Sequence, residues 1–332
     1  MRRFGRSARV VTLVGLLALA AGGAVARSAT RGPEPAGGAV AQRSQPCDRV
    51  SRSVTLFAVP MSRGRFGFGL SPDRPTVPGP TIQMTEGECL AVTLVNRTRD
   101  QLVSLHPHGV DYTWDGDGTG INSGCVRPGR AKTYLWSTHP PSERADGTVR
   151  PGSAGYWHYH DHCMGTPHGT KGIAAGLFGA LIVRRAGDPL PDRPPFVVVF
   201  GPGETINLRK APHTSVFRAN LGERVEFVVI AHGDDFHTFH LHGHRWADNR
   251  TGLLGGPDDP TPVIDTRTVG PADSFGFQLV AGEGVGPAAW MYHCHVQGHA
   301  DAGMVGIFLV RTADGQLTEQ EKEALERWRH MG

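Results

Sequence analysis

Eight of the seventeen histidines stand in four His-x-His pairs: His106/His108, His158/His160, His240/His242 and His293/His295. On a β-strand, residues i and i+2 share a face about 6.6 Å apart, so each pair offers two imidazoles to one space. Neutral imidazole ligates zinc, copper, iron or nickel, and these eight alone do not name the metal. Cys294 does. It lies between His293 and His295 and points to the opposite side of the strand. His299 and Met304 follow it, and His237 stands three residues before His240. Two imidazoles, a thiolate and a weak axial thioether make the ligand set of a blue-copper electron-transfer site. Tetrahedral zinc is the competing reading, but zinc rarely takes Met and the zinc cysteine spacings are absent. Cys294 would hold the copper that collects single electrons, while its backbone neighbours hold metal in a second site. Eight imidazoles there accommodate three coppers, a number suited to the four-electron reduction of O2 to water.

The elements that must carry these residues are written twice. Residues 81–96 and 216–230 each read as a strand, a Gly-Glu turn (Gly87-Glu88, Gly222-Glu223) and a second strand of alternating apolar residues. A His-x-His-Gly follows each, then a second His-x-His, then an apolar strand at 179–183 or 306–310. The order predicts two homologous β-sandwich domains, 49–185 and 195–313, joined by a Pro-rich linker at 186–194. The tail, 314–332, is different. Thr318-Glu319-Gln320-Glu321 is a capping-box pattern opening a short helix, docked through Leu325 and Trp328 or frayed.

Composition agrees with a strand-rich protein. There are 332 residues with 45 Gly and 25 Pro, which break helices, and a net charge of +3 offers no basic surface for nucleic acid. Residues 1–26 carry Arg2, Arg3 and Arg6, an apolar run and Ala24-Val25-Ala26, the order of a cleaved signal peptide. The run is shorter than the ~20 residues that span a bilayer, so no membrane association is expected after cleavage. Arg2-Arg3-Phe4 matches the twin-arginine pattern, though basic starts are common to all export signals. Residues 27–48 read as a flexible tether. Secretion permits disulfides, and Cys47, Cys89, Cys125 and Cys163 allow three connectivities once Cys294 serves as a ligand. They could equally be reduced core residues.

The stretches His106–Tyr112, Tyr156–His162, His237–Trp246 and His293–His299 resemble the multicopper oxidases, and most closely the two-domain bacterial small laccases. The resemblance covers nearly all the chain after the signal. It implies two cupredoxin-like Greek-key domains and four coppers per chain. The type 1 copper would take His237, Cys294, His299 and Met304. The type 2 copper would take His106 and His240, and the type 3 pair His108, His158, His160, His242, His293 and His295. With the His-x-His pairs matched, Tyr159 holds the place of Cys294, so only the second domain carries a type 1 site. The resemblance also implies a homotrimer with clusters at subunit interfaces, where the sequence itself requires only an interdomain site.

Asp117 and Tyr112 follow the first pair. Asp117, in competition with Asp115, could supply protons and Tyr112 an electron, against a plain hydrogen-bonded loop. Asp161 and His162 could orient ligand imidazoles, as could His244 and His168. His139, His213, His232 and His330 read as surface or loop residues. The leading expectation is a laccase-like oxidation of phenolic and aromatic reductants with O2 as acceptor. A Cu(I) oxidase of copper tolerance is the alternative, but only seven scattered Met occur. Copper nitrite reductase has a single histidine flanking its cysteine, whereas both flanks are present here. A copper carrier would not need an electron site wired to an oxygen site.

Overall fold

Gly87 and Gly222 adopt φ of 95° and 87°, a region that favours glycine, at equivalent turns. Glu88 then accepts a hydrogen bond from the Thr85 amide at 2.9 Å, and Glu223 one from the Asn220 amide at 2.8 Å. Each turn hands the chain from one sheet to another, and two sandwiches of the same plan result. The structure, a computed structural model, describes residues 46–331. The expected signal peptide and nearly all of the tether lie outside the described residues.

The first sandwich contains β1 (Arg52–Pro60), β2 (Phe66–Gly69), β3 (Gly79–Thr85), β4 (Cys89–Asn96), β5 (His106–Pro107) and β6 (Ala131–Ser137). A short hairpin, β7 (Ser142–Glu143) and β8 (Val149–Arg150), precedes β9 (Gly155–His160) and β10 (Phe178–Arg184). Its sheets are ordered β2-β1-β4-β6 and β3-β10-β9-β5. The second sandwich contains β11 (Phe196–Gly201), β12 (Thr205–Ile206), β13 (Val216–Asn220), β14 (Arg224–Ala231) and β15 (His237–Leu241). A hairpin of β16 (Trp246–Ala247) and β17 (Val263–Ile264) follows, then β18 (Thr266–Val269), β19 (Ser274–Val280), β20 (Ala288–Cys294) and β21 (Val305–Arg311). Its sheets are ordered β12-β11-β14-β19 and β13-β21-β20-β15-β18. In both sandwiches the strands before and after the Gly-Glu turn each find one parallel partner: β4 with β1 and β14 with β11, β3 with β10 and β13 with β21. The expected repeat is therefore present in topology.

Each sandwich buries its own core, with Phe68, Tyr134, Trp136 and Tyr159 in the first and Phe227, Phe239, Phe277 and Phe308 in the second. A third apolar layer joins them, where Phe178 and Ile182 of β10 meet Val199, Val228 and Ile230. Apolar area removed from water is the main attraction between such layers. Within that junction Glu226 is wholly buried and holds Arg184 through bonds of 2.8 and 2.7 Å, while the Tyr156 hydroxyl donates at 2.8 Å. Removing one partner leaves the other charged in the dark. Glu226→Ala is expected to lower unfolding free energy by roughly 3–5 kcal/mol, measurable by urea denaturation.

Two disulfides form, Cys47–Cys89 and Cys125–Cys163, leaving Cys294 free and buried. The second ties the loop after β5 to the segment just past β9. At the C-terminus a helix (Glu319–Arg329) begins with both halves of the capping box formed by Thr318 and Glu321. Trp328 is buried against Val305, Ile307 and Leu309 of β21, with Leu325 beside it, so the helix is docked. Among the described residues no helix is long and apolar enough to cross a membrane.

Candidate metal centre

Alternation along β20 puts Cys294 into the core of the second sandwich, fully buried, while His293 and His295 emerge on the other side. His237 opens β15, and a five-residue helix, Gln297–Asp301, returns His299 to the same place. The Cys294 Sγ lies 3.7 Å from His237 Nδ1 and 3.6 Å from His299 Nδ1. Met304 is fully buried in the same core, and its carbonyl accepts from the Cys294 amide at 3.0 Å. Phe200 stacks on His237 with ring centres 5.0 Å apart. Burial and the neighbouring His299 push His237 down to about 4, so its lone pair is free at neutral pH. Burial raises the Cys294 thiol, whose proton a soft metal would displace. Two nitrogens and one sulfur converging without a carboxylate, next to a buried thioether, fit copper.

The remaining histidines form two matching sets. His106, His108 and His160 bring their nitrogens within 4.8 Å of one another, as do His240, His242 and His293. His108 and His160 approach Nε2 to Nε2 at 3.2 Å, and so do His242 and His293. His160 Nδ1 donates to the Asp161 carbonyl, and His293 Nδ1 to that of Cys294. A fourth ring completes each set. His162 lies 5.2 Å from His106, and His295 lies 5.4 Å from His240, centre to centre. Burial holds His106, His108, His242 and His293 below the ordinary histidine value, His108 at about 4.

This geometry corrects the register expected from sequence. His160 faces His106 across β5 and β9 just as His293 faces His240 across β15 and β20. Trp157 packs on Gly109 where Trp290 packs on Gly243. His160 and His162 therefore match His293 and His295, and His158 matches Met291. The counterpart of Cys294 is Asp161, not Tyr159. Asp161 is fully buried and accepts from the amides of Ser104, Met164 and Cys163, a hard carboxylate already satisfied by the backbone. Burial lifts it to about 7 despite those three bonds. The first sandwich thus lacks a soft ligand, for a different reason than a tyrosine would give.

His158 stands apart from the set. Its ring stacks on His108 at 3.9 Å, and its Nε2 donates to the Ala272 carbonyl at 3.1 Å. His232, read as a surface or loop residue, stands in the loop just past β14 but is 4% exposed and packs edge-on to His158 at 4.9 Å. Asp117 meets His106 through its carbonyl, which accepts from Nδ1 at 2.6 Å. Its carboxylate turns to Thr119 and Asn122. Burial raises that carboxyl, but these bonds and His106 outweigh it and keep the group below its ordinary value, a base rather than a ready acid. Tyr112 lies edge-on to His106 at 5.9 Å. His244 bridges the His242 carbonyl and the Gly282 amide, fixing the backbone beneath His242. Asp265 and Thr266 were not singled out by the sequence, yet His240 Nδ1 donates to the Asp265 carbonyl at 3.0 Å with the Thr266 hydroxyl 2.8 Å away. The adjacency of Asp-Thr to a strand paired with the histidine strand was the only available signal.

Family models described as multicopper oxidase match residues 75–188 and 191–314, one on each sandwich. A relative named probable nitrite reductase-hydroxylamine oxidoreductase fusion protein, from Kuenenia stuttgartiensis, is 34% identical over 74% of this chain and 29% of its own length. Laccase-3 of Arabidopsis thaliana is 33% identical over 34% of this chain and 17% of its own. The chain thus spans less than a third of either curated relative. Among solved structures, one titled multicopper oxidase superposes with a TM-score of 0.57 and 24% identity over 78% of this chain and 88% of its own. Copper nitrite reductase from Nitrosomonas europaea gives 0.57 and 21% over 78% and 93%. These similarities place both sandwiches in the cupredoxin-like fold.

Proposed function

Because the chain belongs to the multicopper oxidases, we propose that it is a laccase-like enzyme, oxidising phenolic and aromatic reductants one electron at a time and reducing O2 to water. His237, Cys294, His299 and Met304 would hold the type 1 copper. Three further coppers would be held by His106, His108, His160 and His162 together with His240, His242, His293 and His295, with His106 and His240 on the type 2 ion. Bound copper supplies reversible one-electron transfer at the first site and four-electron reduction of dioxygen at the second. The observation that carries this reading is the pair of matching four-histidine sets beside a Cys-His-His site.

The residues do the rest by placement. Cys294 shares peptide bonds with His293 and His295, so the sulfur that would hold the electron-accepting copper and two cluster imidazoles lie in consecutive residues at the end of one strand. The carbonyls of Asp117, Asp161, Asp265 and Cys294 accept hydrogen bonds from the Nδ1–H of His106, His160, His240 and His293, which keeps the proton on Nδ1 and leaves each Nε2 lone pair free for a metal. Tyr112 stands beside His106 as a candidate electron donor. Within one chain, among the described residues, no ring contact joins the two sets. Each is a half-site: the second opens to solvent at His242 and His295, and the first is half-buried at His106, His108 and His162. A head-to-tail contact that places one copy's first set against the next copy's second set closes as a ring, and a homotrimer is the proposed assembly.

Copper per chain and O2 consumption test this together. The copper-loaded protein is expected to hold about four coppers and to consume O2 with a phenol. The nitrite-named relative and the nitrite reductase likeness favour a second reading, in which about two coppers are bound and nitrite is reduced. That outcome would replace the first.

A further inference from the structure

Outside the two matching sets lie two more buried histidines, His158 and His232, contributed by different sandwiches of the same chain. His158 Nδ1 and His232 Nε2 are both buried without a hydrogen-bond partner. An unsatisfied buried polar atom costs about 1–3 kcal/mol, so two on adjoining rings call for an occupant. The protein groups nearby cannot serve. His158 Nε2 is committed to the Ala272 carbonyl, the other imidazole beside His232, that of His160, has Nδ1 on the Asp161 carbonyl and Nε2 on His108, and the Phe178 ring offers no polar atom. No direct hydrogen bond joins the two histidines, whose ring centres are 4.9 Å apart at 80°. A single water is the smallest partner able to satisfy both nitrogens.

We propose that His158 and His232 together seat one buried water between the two sandwiches, and that this seat is a positioning device for His108. His158 is locked on one edge by Ala272, a non-glycine residue held at φ 63°, and its face lies on His108 at 3.9 Å with planes 23° apart. The backbone of Ala272 is in turn tied to Ala231, the residue before His232, by an amide-to-carbonyl bond of 2.9 Å. Carbonyl, water and imidazole thus approach His158 from one rigid corner of the second sandwich. The second domain of each chain sets the angle of a histidine in its own first domain. Strained backbone of this kind persists where the surroundings over-determine it.

The inference rests on the reading of His108 as a cluster ligand, but the seat itself does not. A crystal structure of the copper-free full-length chain, at a resolution that shows ordered solvent, should place one oxygen within hydrogen-bond distance of His158 Nδ1 and His232 Nε2. A direct nitrogen–nitrogen contact, or an empty void, overturns the seat whatever the enzyme does. In the copper-loaded protein, His158→Phe and His232→Phe should each keep the wild-type copper content and blue colour while slowing O2 consumption about tenfold. The double variant should lose no more than the worse single one, because both changes remove the same water. His232→Gln, which keeps a hydrogen-bonding group, should recover most of the rate. Multiplying losses, or wild-type rates in either single variant, would overturn the positioning role. Fewer than about four coppers in the wild type would instead overturn the oxidase reading and leave the water seat standing.

Discussion

Under the proposed function, Cys294→Ser is expected to remove the blue absorption and the oxidation of phenols, and to leave the copper assigned to the eight histidines in place. Among the described residues, the sulfur is the only soft anionic donor at the point where His237 and His299 converge. A serine hydroxyl at that buried position is neither soft nor ionised at neutral pH, so the proposed type 1 site would lose both affinity and colour. The neighbouring rings keep their supports, since His293 is held through the carbonyl of residue 294 rather than its side chain. Copper content should therefore fall by about one per chain, and oxidation of phenols should drop to background. Copper analysis and the visible spectrum of the purified variant decide it. Retained colour would refute the assignment of the site.

The second large effect separates two histidines that stand four residues apart. His162→Ala should abolish O2 consumption and lower cluster copper, because His162 completes the first set as His295 completes the second. His158→Phe should keep the full copper content. Its place is occupied in the second sandwich by Met291, and its ring is turned to Ala272 instead of the gathered nitrogens. Metal analysis of the two variants side by side gives a clear contrast. Copper loss in His158→Phe with full copper in His162→Ala would show that the domain-1 ligands are His158 and His160 after all.

That register could not be read from the histidines alone. His158, His160 and His162 repeat with period two, so either adjacent pair presents two rings on the same face of a strand. The deciding signal lay beside them: Trp157-His158-Tyr159-His160 aligns with Trp290-Met291-Tyr292-His293, and each tryptophan packs on the glycine of a His-x-His-Gly. Strand alternation was legible, as were the doubled Gly-Glu turn and the capping box, because each is a local pattern with a local cause. The cysteine pairing was not, since Cys125 and Cys163 meet only when two loops converge. Nor was the burial of His232, which has no partner in sequence and owes its place to the junction between the sandwiches. Asp117 illustrates a different limit: its proximity to His106 was legible, but that its carbonyl makes the contact is decided by the turn through Thr119.

The proposed oxygen-reducing centre is built from half-sites on different copies of the chain. Two variants test it directly: His108→Ala, which disables the first set, and His242→Ala, which disables the second. Each alone should be inactive. Assembled together from equal amounts of unfolded chain, they should recover about a quarter of wild-type O2 consumption, because about one interface in four pairs two intact halves in a head-to-tail ring. No recovery from mixtures shown to contain both chains would contradict the account, and would place the whole centre within a single chain.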